Sequence, residues 1–214
     1  MTKLFFIYTN IYNDTLFKLK GLKRPESLSI EGRTYSQEIY KEWYKYNDKV
    51  FDYYAKFDFL LPEVWNVYLV SKDLGIIPFS HPFTIPIQDI EKNISVIFHE
   101  LIHVFLHFNS SIRKDINYLY NNLNQEFKDA SSELKDHLIV NIFAGSGMYS
   151  ILGKEKAEKL IDIQRSWKAG QVDQAWDIIF SQEFAVDFEN PIETINKLRN
   201  NLAQSQIHFG KTDT

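Results

Sequence analysis

The chain has 214 residues, 44% hydrophobic and 24% charged, with 12 Tyr, 17 Phe and a formal net charge of -4. That many apolar and aromatic side chains fill a core and exclude long disorder, and the mildly acidic balance lacks the basic face of a nucleic-acid binder. Cysteine is absent, which excludes disulfides, zinc ribbons and thiol nucleophiles and leaves His and carboxylates as the metal ligands available.

In chain order, residues 3–8 read as a short strand. Its apolar run is too brief for a secretory signal, and no window approaches the roughly 18 apolar residues of a membrane span. A cytoplasmic chain with no membrane partner is the expectation. Segment 11–34 mixes Gly and Pro and takes no firm assignment. Ser36 is read as the cap of a helix running to about Phe57, and Pro62 closes that region. Val64–Val70 has the β-branched and aromatic content of a strand, Asp73-Leu74-Gly75 forms a turn, and Phe83–Ile87 is a further strand. Pro82 and Pro86 both lack an amide donor, which places Phe83–Ile87 at a sheet edge.

From Asp89 onward the periodicity is helical, with helices near 90–108, 112–127, 131–151, 154–168, 172–181 and 191–204. Gly145 and Gly147 are expected to bend or end the third of these. Strands first and helices later make the fold α+β. We read one domain over 1–214, with an N-terminal α/β part of about 1–89 and a helical part of about 90–214.

The chemistry concentrates in His99-Glu100-Leu101-Ile102-His103. Two His four residues apart project from one helix face, a turn apart, and their nitrogens can reach one Zn²⁺ at roughly 2.0–2.1 Å each. Glu100 lies about 100° round the helix, placed to take a proton from water at the metal rather than to bind the ion. The segment is flanked by Ile94-Ser95-Val96-Ile97-Phe98 and Val104-Phe105-Leu106, an apolar setting that would strand these polar groups without a partner. The plainer alternative is a core helix whose His are satisfied by hydrogen bonds.

On these residues the chain resembles the zincin metallopeptidases. The resemblance covers His99–His103 firmly and, more loosely, the order of strand, edge strand, active helix and a later helix bearing the third ligand. It implies that His99 and His103 bind zinc and that Glu100 is the general base of a peptidase acting on a peptide or protein. The alternative is a latent or inactive zincin-like metal-binding domain that recognises or regulates a protein.

The third ligand has several candidates. Metzincins place Gly and His three and six residues after the second His, where this chain has Leu106 and Asn109, so that subclass is rejected. His107 stands about 12 Å along the axis from His99, too far to share its ion. Gluzincins take a carboxylate from a downstream helix, which here suggests Glu133 or Glu126, although neither is followed four residues on by the Asp those enzymes favour. His137, in the apolar stretch Lys135–Asn141, is preferred because a buried imidazole suits zinc better than a solvated carboxylate. Its plainer alternative is a core His bonded to a main-chain carbonyl. Asp136, Glu133 and Asn141 are candidates to orient its ring.

Phe83–Ile87 is the natural edge for pairing with an extended substrate. Tyr118, Tyr120, Tyr149 and His107 are available to stabilise an oxyanion, with nothing to choose among them. Oligomeric state and cleavage specificity leave no mark on the sequence.

Overall fold

Along β1 (Lys3–Tyr8), Leu4 and Phe6 are buried while Lys3 and Phe5 are exposed, the period of a strand with one face on a core. β1 pairs in parallel with β2 (Val64–Ser71), from Lys3 opposite Val64 to Tyr8 opposite Leu69. β2 pairs in parallel with β4 (Phe83–Ile87), and the two-residue β3 (Phe79–Ser80) closes on β4 antiparallel, giving the order β1-β2-β4-β3. This computed structural model describes residues 2–57, 59, 62–108, 131–167, 171–181 and 187–188.

The expected edge position of Phe83–Ile87 is therefore corrected, because β4 lies between β2 and β3. The proline argument fails for a local reason. β3 reaches only Phe83 and Thr84, so Pro86 lies beyond it and its missing N–H breaks no bond to β3.

The helices before β2 also differ from expectation. α1 (Asn10–Leu19) starts at Thr9, whose Oγ1 accepts from Tyr12 N at 3.4 Å. α2 (Leu28–Trp43) begins well before Ser36, which sits inside it and donates to Phe6 O at 2.7 Å. The helix does not run on to Phe57. It breaks after Trp43, and α3 (Asn47–Ala55) starts at a residue with other duties. Asn47 accepts from Trp43 Nε1 at 3.0 Å and from Leu4 N at 3.5 Å, and donates to Thr2 O at 3.0 Å. Its amide thus satisfies main-chain groups at the start of β1, which pins the break.

The chain divides into two compact units, Met1–Phe108 and Asn109–Thr214. The first ends with α4 (Ile90–Phe108), whose bounds match the expected helix. α4 packs on the helices of this unit. Phe98 meets Trp43 edge-on at 5.8 Å, and Phe105 packs on Tyr54 at 5.2 Å and Phe51 at 6.2 Å. Asn93 fixes its first turns, donating to Tyr35 Oη at 2.6 Å and to Pro86 O at 2.8 Å.

In the second unit, Ser131 caps α5 (Ser132–Leu152), its Oγ accepting from Leu134 N at 3.1 Å. α6 (Lys154–Arg165) and α7 (Val172–Ile179) follow. α5 passes through Gly145 and Gly147 without a break, contrary to expectation. A Cβ at Gly145 would stand 2.5 Å from Phe188 Cε1 and 3.0 Å from Trp176 Cη2, so this glycine serves close packing. The helices expected at 112–127 and 191–204 lie outside the described residues. Among those described, no helix is long and apolar enough to cross a membrane.

Candidate metal centre

α4 is apolar nearly all round, which buries its middle turns and carries their polar side chains inward with them. His99 is 2% exposed and Glu100 7%, while His103 is half-buried. Helical spacing stacks the two imidazoles on one face, with ring centroids 5.0 Å apart and Nε2 atoms 3.3 Å apart. Four nitrogens held tetrahedrally at about 2.0–2.1 Å from zinc are separated by about 3.3–3.4 Å. The pair already has the spacing of one edge of that tetrahedron.

His137 lies in the second turn of α5 and is 8% exposed. Its Nδ1 is 2.9 Å from Glu133 O. In the tautomer that donates Nδ1–H to this carbonyl, Nε2 keeps its lone pair, the arrangement by which metal-ligating His are normally oriented. One nitrogen from each of His99, His103 and His137 can be chosen so that all lie within 4.8 Å of one another. This three-imidazole cluster is compatible with zinc, for which three protein ligands and water form a common catalytic set. The donor chemistry leaves the identity of the ion open among metals that favour imidazole.

The other candidates sort plainly. Glu133 meets His137 through its main-chain carbonyl and is not part of the cluster. Asp136 is exposed, and Asn141, fully buried, donates to Val172 O at 3.1 Å. Tyr149 donates to Glu158 Oε1 at 3.4 Å and stacks on Phe188 at 4.9 Å. Glu126, Tyr118 and Tyr120 lie outside the described residues. Glu133 is among the residues expected to orient the His137 ring, and it does so through its main-chain carbonyl, the contact also expected of a core His, rather than through its carboxylate.

Burial pushes the Glu100 carboxyl up to about 8, so in the absence of a nearby cation it holds its proton at neutral pH. A divalent ion on the imidazoles would favour the carboxylate, the form a general base requires.

No protein-family model, curated protein or solved structure matches the chain.

Proposed function

We propose that this chain is a zinc-dependent peptidase, with His99, His103 and His137 holding the ion and Glu100 as the general base. The observation that carries this reading is the cluster of three imidazole nitrogens within 4.8 Å, two of them at tetrahedral spacing on one helix. When bound, Zn²⁺ acts as a Lewis acid that acidifies water towards neutrality and polarises a carbonyl. Glu100 accepts a proton from the attacking water and returns it to the departing amine, so that amide and water become acid and amine. Glu133 contributes its carbonyl and so keeps the third imidazole oriented.

An extended peptide would pair with a terminal strand, so the substrate-pairing role passes from Phe83–Ile87 to β3. The deep burial of Glu100 favours a second reading, a latent zincin-like domain that binds metal and awaits a partner to expose the base. Metal analysis and cleavage of an unfolded protein test both. Zinc at about one per chain together with cleavage supports the peptidase, and zinc without cleavage favours the latent form. Chain purified without chelator and free of metal would overturn both readings.

A further inference from the structure

α4 carries another imidazole one turn, about 6 Å, beyond His103. This residue, His107, has a neighbour that the sequence does not announce. His81, in the turn between β3 and β4, lies beside it with ring centroids 4.3 Å apart and planes tilted by 48°. Both residues are exposed. Packing braces His81 on several sides, edge-on to Trp65 at 6.2 Å and beside Phe108 at 5.9 Å. Trp65 meets Phe108 edge-on at 5.1 Å, and Ser80 Oγ is 3.0 Å from His81 Nδ1. Two imidazoles from different elements of the same unit are thus held side by side.

We propose that His81 and His107 form a second, solvent-facing metal site, which takes a divalent ion such as Zn²⁺ separately from the His99, His103 and His137 cluster. Imidazole is the donor that Zn²⁺, Cu²⁺ and Ni²⁺ share, and water completes the coordination shell. When His81 donates Nδ1–H to Ser80 Oγ, its Nε2 presents a lone pair, the same tautomer control that Glu133 exerts on His137. The bracing by Trp65 and Phe108 lowers the entropy lost when the rings are fixed on an ion. With two protein ligands in place of three, the site is the weaker of the two and exchanges with the surrounding medium. Its occupation ties the β3–β4 turn to the end of α4 and stabilises the Met1–Phe108 unit by linkage.

The inference needs neither Glu100 nor peptide cleavage. Calorimetric titration of the full-length, metal-stripped chain with Zn²⁺ should resolve a tight and a weaker class of site. His81→Gln and His107→Gln should each weaken the second class by roughly tenfold or more and leave the first in place. His99→Ala should remove the tight class yet retain a Zn²⁺-dependent rise in Tm that His107→Gln abolishes. Circular dichroism checks the fold of each variant. Should His81→Gln disturb it, His107→Gln, at the exposed helix end, carries the test. Absence of the weaker class from the wild type, or a weaker class untouched by His107→Gln, would overturn the proposal. Loss of the tight class alone would count against the peptidase reading and leave this site standing.

Discussion

Asn93 donates to Tyr35 Oη and to Pro86 O, so one buried amide ties the start of α4 to α2 and to the end of β4. Its Oδ1 accepts from Gln88 Nε2 at 2.6 Å. This amide anchors the helix that bears His99 and His103 several residues upstream of them. Asn93→Leu would take one donor from the Pro86 carbonyl and one from the Tyr35 hydroxyl, which keeps its main-chain contact with Gln88, each loss costing about 1–2 kcal/mol. We expect a stability loss of about 2–4 kcal/mol in urea unfolding. An unchanged midpoint would show that α4 is positioned by apolar packing alone.

Removal of any one imidazole should weaken zinc binding by about 100-fold or more, a larger effect than loss of an orienting group. His137→Ala should therefore behave like His99→Ala and His103→Ala in competition with a chelator. Glu133→Ala should bind zinc almost as the wild type does, because the contact with His137 comes from the main chain. A Glu133 variant as damaging as His137→Ala would return the carboxylate to the ligand set.

Glu100 makes the metal-free chain sensitive to pH. Its carboxyl titrates near 8 in the fold, from an ordinary value of 4.5. A group raised on folding stabilises the native state below its unfolded value and loses that contribution as pH rises through the folded one. With chelator present, stability should fall between about pH 4.5 and 8 with a slope of at most about 1.4 kcal/mol per pH unit. Glu100→Gln should flatten the profile over that window while retaining zinc and abolishing cleavage. Parallel profiles for the two proteins would remove the buried acid as the cause.

Gly145→Ala sets two effects against each other. Alanine gains up to about 1 kcal/mol of helix propensity. Its methyl would press on Phe188, which stacks on Tyr149 and packs against Trp176 and Phe180. Overpacking costs about 1–3 kcal/mol, so net destabilisation is expected by thermal unfolding. A rise in Tm would mean that the glycine is a defect the fold merely tolerates.

Where the apolar pattern was strong, the elements could be read directly. β1 is a short apolar and aromatic run, and α4 combines helical spacing with Asp89 before its start, so both have the bounds expected. α2 was hidden by Gly32, which looks like a breaker. In the fold Gly32 admits the Tyr8 ring, which would lie 2.1 Å from a Cβ placed there. Pro86 misled for the opposite reason, since a covering strand of two residues leaves no trace in sequence. At the site, His99, Glu100 and His103 follow from spacing on a single helix. The place of His137 beside them depends on chain folding over more than thirty residues, and the partnership of His81 with His107 on a turn that no local pattern marks.

The hydrogen bond between His137 and the carbonyl of Glu133 exists only while the opening turns of α5 are wound, because it spans one helical repeat. Proton placement on that ring is thus inherited from backbone conformation. A frayed α5 would present an imidazole free to choose either tautomer, and capture of an ion would have to wind the helix as it bound. Metal affinity and the integrity of this helix start, with Ser131 as its cap, are on this account one equilibrium.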